Sequence, residues 1–200
     1  STLSPSSAAS DVYKRQSSDS LNMVAFGYGV THLKEGDEVL ITLAEHASNT
    51  LPWFEVAKHT GAIIKYIDLD EEGKVTLENV KKAVTEHTKI ISLAQITNVL
   101  GYLAPIKEIC NFAHEHDIIV CVDGAQSAPH HAVDVQDLDV DFFAFSGHKM
   151  CGPTGVGVLY GKYHLLDEMT PTRFGGGSNA RYNSCGSVSY THLTLPTTER

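Results

Sequence analysis

Short runs of apolar, often β-branched residues recur along the middle of this chain and alternate with longer amphipathic stretches. Each run has the length of a strand that is covered on both faces of a sheet. Strands that alternate with helices pair in parallel, so the pattern predicts an α/β domain with a mostly parallel open sheet and helices on both faces. The predicted strands are 39–43, 62–67, 90–94, 118–122, 142–145 and 156–160.

The stretches between these runs show helical spacing. Residues 106–113 place apolar side chains at i, i+3, i+4 and i+7, which is the stripe of a helix that packs on a sheet. Similar stripes occur at 21–28, 53–57 and 80–84. In open sheets of this kind, ligands bind at the carboxyl ends of the strands. Candidate functional residues are therefore expected directly after the predicted strands.

The two ends of the chain differ from the middle. Eight of the first twenty residues are serine, and the apolar residues there follow no helical or strand period. Residues 11–16 and 188–198 look like translated sequencing-adapter text at the edges of an assembled fragment, which would be excluded from fold reasoning. We therefore expect a non-native or disordered tail at 1–18, one partial domain at 19–182, and a second such tail at 183–200.

The composition excludes several classes of protein. The formal charge is −9 and no cluster of cations occurs, which argues against nucleic acid or an anionic membrane as a partner. The four cysteines include no C-x-x-C pair, so we expect neither a disulfide scaffold nor a zinc finger, and a reducing, cytoplasmic location. The adjacent His130 and His131 lack further ligands, so no metal site is expected.

Titratable and amide side chains follow four of the predicted strands. Each taken alone could be a helix cap, a loop histidine or a solvated lysine. Because the carboxyl ends of parallel strands meet at one edge of a sheet, together they predict a single crevice. The residues are Glu45, His46, Asn98, Asp123, Gln126, Ser146, His148 and Lys149.

Lys149 and Asp123 indicate the chemistry of that crevice. A partly dry pocket favours a neutral amine, which is the nucleophile that forms a Schiff base with a carbonyl. Met150 stands where a Walker-type phosphate loop requires Ser or Thr, which argues against a nucleotide triphosphate. A buried Asp123 needs a cation, and a protonated pyridine nitrogen about 4 Å away would be attracted by roughly 4 kcal/mol at an effective dielectric constant near 20. With phosphate donors beside the lysine, the set suits a phosphate-bearing pyridine aldehyde.

These residues resemble, in order and spacing, the class V pyridoxal-phosphate enzymes. The motifs that carry the resemblance are Glu45-His46, Asn98-Val99-Leu100-Gly101, Asp123-Gly124-Ala125-Gln126, Ser146-Gly147-His148-Lys149 and Gly152-Pro153-Thr154-Gly155. Within the family the chain looks most like the SUF-type cysteine desulfurases and selenocysteine lyases, through His130-His131 and Gly175-Gly176-Gly177. The resemblance spans 21–180 and implies the large domain of fold type I.

The resemblance implies a role for each residue at the strand ends. Lys149 would bind pyridoxal 5′-phosphate covalently, and Asp123 would pair with the pyridinium nitrogen. Gln126 and Asn98 would approach the phenolic oxygen. His46 would stack on the ring and move protons, which makes Lys149 and His46 the expected catalytic residues.

The resemblance also implies a phosphate site. Ser146 and His148 would hold the phosphate of the cofactor. Family members carry a threonine-rich phosphate loop just before the first helix, and Ser18 stands at that place here.

The implied activity is that of a homodimeric cysteine desulfurase. Such an enzyme converts L-cysteine to L-alanine and passes the sulfur on as a persulfide, to a sulfur-acceptor protein, for iron-sulfur cluster assembly. The persulfide cysteine and the arginine that binds the substrate carboxylate lie in a carboxy-terminal domain of the family that this chain lacks. The chain is therefore expected to be inactive alone. Alternatives are another class V enzyme, such as a selenocysteine lyase or an aminotransferase, and a non-catalytic fragment that binds the cofactor.

Overall fold

A six-stranded sheet forms the centre of the protein. The structure is a computed structural model and describes residues 16–173, 179–182 and 188–190. The strand order is β2-β1-β3-β4-β5-β6, with every neighbouring pair parallel except the antiparallel pair β5 and β6. This confirms the predicted mostly parallel α/β sheet. The strands are β1 (Glu38–Thr42), β2 (Ile63–Ile67), β3 (Thr88–Ala94), β4 (Ile119–Asp123), β5 (Phe142–Ser146) and β6 (Gly157–Gly161).

Helices cover both faces of the sheet. A π-helical turn, Ala25–Gly29, joins the first two helices, and a 3-10 turn, Gly147–Met150, follows β5. In the described part of the chain no helix is both long enough and apolar enough to span a membrane. The helices are α1 (Gln16–Val24), α2 (Val30–His32), α3 (Ala47–Thr60), α4 (Leu77–Ala83), α5 (Ile106–His114), α6 (Ser127–His130), α7 (Val135–Leu138) and α8 (Tyr163–Glu168).

The core consists of two apolar clusters, one on each face of the sheet. Trp53 and Phe142 belong to the cluster beneath α1 and α3, whereas Phe143 belongs to the cluster beneath α4 and α5. All three are almost fully buried. Burying one such side chain contributes roughly 1.5–3 kcal/mol. The sheet is therefore a firm base for the side chains that follow its strands.

Both ends of the predicted domain differ from the sequence-based boundaries. Helix α1 begins at Gln16, so residues 16–18 belong to the fold and the predicted tail is too long there. Two further strands, β7 (Asn179–Tyr182) and β8 (Val188–Tyr190), form an antiparallel pair. The expectation of no structure after residue 182 is therefore wrong for β8, which finds its partner in β7. The remaining residues of the two predicted tails lie outside the described part of the chain.

A cluster of charges lies at the end of the sheet where β4 and β5 begin. Asp141 is 3% exposed and accepts a hydrogen bond from the backbone of Val120 at 2.8 Å. Its carboxylate lies 2.9 Å from Nζ of Lys162 and 2.9 Å from Nε2 of His114. Asp139 contacts the same lysine at 2.7 Å and the same histidine at 3.1 Å. The buried carboxylate thus has the partners that burial of a charge requires.

Candidate active site

One cavity lies at the carboxyl ends of the central strands, where the sequence placed the crevice. It has a volume of about 180 Å³. Of the nine residues that the sequence predicted here, all but Glu45 line it: Ser18, His46, Asn98, Asp123, Gln126, Ser146, His148 and Lys149. The structure brings them together, while the individual roles assigned to them stay predictions. Gln16, Ser17 and Ser48 also line the cavity and were not predicted as site residues.

Lys149 reaches the cavity from the 3-10 turn after β5. The turn is closed by backbone hydrogen bonds from Gly147 to Val156 and from Gly152 to Gly147, both 2.9 Å long. A Cβ on Gly152 would lie 2.9 Å from the Gly147 carbonyl oxygen, so this position requires glycine. Lys149 itself is half-buried. The loop is therefore short and held by hydrogen bonds, so the backbone that carries the Lys149 side chain has a fixed position.

Asp123 ends β4 and is 5% exposed. Its Oδ1 accepts a hydrogen bond of 2.9 Å from the backbone N–H of Ala125. Burial raises the pKa of Asp123 above its ordinary value, and this hydrogen bond and the charges of Lys149 and His46 only partly oppose the increase. A raised pKa means that the carboxylate lacks compensating positive charge. A cation that entered the cavity would supply it.

His46 is the N-cap of α3, and its cap fixes which ring nitrogen accepts hydrogen bonds. Its Nδ1 accepts from the backbone N–H of Ser48 at 3.2 Å and lies 3.0 Å from Oγ of the same serine. That Oγ in turn lies 2.6 Å from Oγ of Ser18. Because a backbone N–H can only donate, Nδ1 of the neutral ring is unprotonated and the proton is on Nε2. Ser48 was missed because capping of a helix by histidine has no strong sequence signal.

The first turn of α1 forms another wall of the cavity. The backbone N–H of Ser17 donates to Oγ of Ser146 at 2.8 Å, and this hydroxyl donates to Oγ of Ser17 at 3.0 Å. Both serines are buried. The N-terminus of a helix carries partial positive charge and free N–H groups, which favour anions. The sequence analysis chose Ser18 here and missed Ser17.

Two amides and one imidazole complete the lining. Nε2 of Gln126 donates to Oδ1 of Asn98, which leaves the other atoms of both amides available to a ligand. Nδ1 of His148 is buried and has no hydrogen-bond partner among the described residues. Buried ring nitrogens are normally paired, so this nitrogen suits a ligand. Within the described ranges, no group of three or more His, Cys, Asp or Glu side chains could hold a metal ion.

Glu45 lies next to the cavity but does not line it. Its carboxylate accepts hydrogen bonds from Oγ1 of Thr42 at 3.0 Å and from Nδ2 of Asn49 at 2.8 Å. Burial raises the pKa of Glu45 to about 7, and the negative charge of Asp123 adds to this increase. The sequence analysis placed Glu45 in the crevice with the other residues at the strand ends, whereas the structure places it beside the cavity and outside the lining.

Known proteins match this chain over most of its length. The family profile described as aminotransferase class-V matches residues 6–194, which extends into both predicted tails. A probable cysteine desulfurase of Halalkalibacterium halodurans is 52% identical over 171 residues, covering 86% of this chain and 42% of that protein. The crystal structure of the cysteine desulfurase CsdA from Escherichia coli has a TM-score of 0.88 and 39% identity, covering 94% of this chain and 46% of that one.

A third comparison concerns a protein with a bound cofactor. A mutant of the cystine lyase C-DES, with glycine covalently linked to its PLP cofactor, has a TM-score of 0.79 and 26% identity, covering 90% of this chain and 48% of that one. This chain thus spans less than half the length of the relatives it matches. The match of the family profile, the parallel sheet and the cavity at its strand ends agree, and the chain belongs to the class V aminotransferase family.

Proposed function

We propose that this chain is part of a pyridoxal-phosphate-dependent cysteine desulfurase, which converts L-cysteine to L-alanine and passes the sulfur on as a persulfide. The observation that carries the proposal is the meeting of Lys149, Asp123 and His46 at one cavity. Relatives described as cysteine desulfurases support the choice of substrate. The proposal extends to a role in iron-sulfur cluster assembly and to transfer of the sulfur to an acceptor protein.

The residues of the cavity fit the cofactor in chemical type. Lys149 offers an amine for the aldehyde, and the buried carboxylate of Asp123 suits the ring nitrogen. The unpaired Nδ1 of His148 and the first turn of α1 suit a phosphate. Pyridoxal phosphate supplies an electron-withdrawing ring that accepts the electron pair released at the α-carbon of the substrate.

The residues of this chain would each perform one step around the bound cofactor. Asp123 would hold the proton on the ring nitrogen, because Lys149 and His46 compensate its buried charge only in part. Lys149 would bind the aldehyde carbon and, once displaced by the substrate, take the proton from the α-carbon. His46 is available to exchange a proton at Nε2, since its Nδ1 is occupied by the cap.

We also propose that the whole protein forms a homodimer and acts in the cytoplasm. Leu43, Val99 and Met150 are exposed apolar side chains in the segments that follow β1, β3 and β5. These residues would be covered in a homodimer, as we propose for the whole protein. The three described cysteines, Cys110, Cys121 and Cys151, are free thiols, which suits the cytoplasm. We propose that this chain alone binds the cofactor without releasing sulfide from cysteine.

Cofactor attachment tests the proposal. Pyridoxal phosphate added to the folded protein should give a visible absorption band, and reduction with borohydride should fix the cofactor on the peptide that contains Lys149. The variant Lys149→Ala should lose both signals. The matched control is Lys82→Ala, whose exposed amine pairs with Glu78 away from the cavity. Retention of the band and of the labelled peptide in Lys149→Ala would refute the assignment.

A further inference from the structure

Glu45 is held in place by hydrogen bonds between buried polar groups, which connect it through α3 to β3. Asn49 donates to Glu45, and Ser92 of β3 donates to Oδ1 of Asn49 at 2.6 Å. Ser92 and Asn49 are both 0% exposed. Since the hydroxyl of Ser92 donates to the amide oxygen, the amide nitrogen must face Glu45. The network thus fixes the Glu45 carboxylate in one orientation beside the end of β3.

The Glu45 carboxylate also accepts a hydrogen bond from the backbone of Ala94, the last residue of β3, and Ala94 is the neighbour of Asp123 in the sheet. Asp123 lines the cavity, and Glu45 lies one strand behind it. The charge of Asp123 acts on Glu45. The other ionisable groups that feel the charge of Glu45 are Tyr102, in the loop after β3, and the buried thiol of Cys121 on β4. Both pKa values are raised, that of Cys121 to about 12, so neither group is ionised at neutral pH. Among Glu45, Tyr102 and Cys121, Glu45 is accordingly the group whose charge changes near neutral pH.

We propose that Glu45 is a positioning residue, which places a second negative charge behind Asp123 and so strengthens the binding of a cationic ring nitrogen in the cavity. This inference rests on the proposed function. At low pH Glu45 is neutral and Asp123 acts alone. As the pH rises, Glu45 ionises and the base of the cavity gains a charge. Asp123 makes the direct contact with the ring nitrogen, and the charge of Glu45 adds to the attraction from behind Asp123 without touching the ligand.

The first test needs no cofactor. The carboxyl ¹³C resonance of Glu45, assigned through its backbone, should titrate near neutral pH in the free protein. In Asp123→Asn its midpoint should move to lower pH, because the neighbouring negative charge is gone. An unchanged midpoint would show that the two carboxylates do not interact and would overturn the inference. This measurement also decides the matter if a variant at Glu45 fails to fold.

The second test uses pyridoxine 5′-phosphate, which keeps the ring nitrogen and the phosphate but has no aldehyde for Lys149. Its dissociation constant is measured between pH 6 and pH 8.5 for the native protein and for Glu45→Gln. Glutamine can accept from Asn49 and donate to Thr42, so the packing is kept. The ratio of the two constants should grow about tenfold over this range, which corresponds to about one pKa unit of interaction. Ionisation of the ligand itself cancels in the ratio.

The outcomes separate the inference from the proposed function. The control is Glu86→Gln, which removes a carboxylate with an 87% exposed side chain and should leave the constants unchanged. A ratio for Glu45→Gln that stays flat with pH overturns the role of Glu45 while the cofactor site stands. Failure of pyridoxine 5′-phosphate to bind the native protein at any pH overturns both.

Discussion

Replacing Gly124 with alanine is expected to destabilise the protein, because no space exists there for a methyl group. A Cβ at Gly124 would lie 2.0 Å from Cζ and 2.2 Å from Cε1 of Phe143. Carbon atoms in contact are normally about 3.5–4.0 Å apart, so the ring or the end of β4 must move by more than an ångström. Phe143 is 1% exposed inside the core, and its ring has little room. Overpacking typically costs about 1–3 kcal/mol, and we expect a free energy of unfolding lower by about 3 kcal/mol.

Urea unfolding of Gly124→Ala measures this loss, and a thermal scan should show a midpoint lower by about 6–12 °C. The matched control is Gly36→Ala, where nothing lies within 4 Å of a Cβ but φ is +87°. That variant should lose only the cost of a left-handed backbone, about 1–2 kcal/mol. In a Phe143→Leu background, the loss caused by Gly124→Ala should shrink because the obstructing ring is absent. The reasoning is refuted if Gly124→Ala costs no more than the control and shows no such interaction.

Two further substitutions test the buried polar groups, both by urea unfolding. Asn49→Ala removes the amide between Ser92 and Glu45 and leaves two buried polar groups without this partner. We therefore expect the free energy of unfolding to fall by about 2–5 kcal/mol. A fall below about 1 kcal/mol would show that these groups find other partners. Lys162→Met leaves Asp141, which is 3% exposed, without its cation and should cost about 3–5 kcal/mol. Lys82→Met, at an exposed pair, should cost less than about 1 kcal/mol, and equal losses for the two lysines would contradict this account.

The strands were predictable from the sequence because their signal is local. Each strand of the six-stranded sheet lies within about two residues of its predicted position, as the predicted 118–122 and the observed Ile119–Asp123 illustrate. Continuous apolar runs are visible without any knowledge of the tertiary fold. The residues at the ends of those runs then had to meet, because parallel strands share one edge.

The start of α3 and the start of α1 were less predictable. The sequence predicted a helical stripe at 53–57, yet α3 begins at Ala47, because His46 caps it and Pro52 lies inside its first turns. Helix α1 begins in a serine-rich segment, where composition argued for disorder. Its first turn is instead held by Ser146, a contact between residues 129 positions apart. No local pattern can indicate such a contact.

Glu45 shows the same limit at the candidate site. Its position after β1 was visible, but its environment depends on Asn49 and on Ser92, a residue of another strand. The balance between burial and hydrogen bonds that sets its pKa arises only in the folded chain. Sequence motifs thus identified Glu45 and the side chains that face the cavity, and they missed Asn49 and Ser92, which hold Glu45 in place.

The hydrogen bonds between Ser17 and Ser146 have a consequence for synthesis of the protein. Translation proceeds at about 5–20 residues per second, so the first helix leaves the ribosome on the order of ten seconds before the strand that it docks against. During that interval Leu21 and Val24, which are buried in the finished protein, can pack against Trp53 of α3 but not against Phe142 of β5. The nascent chain therefore carries a partly uncovered apolar segment until β5 has been made, and the anion-attracting wall of the pocket is completed only then.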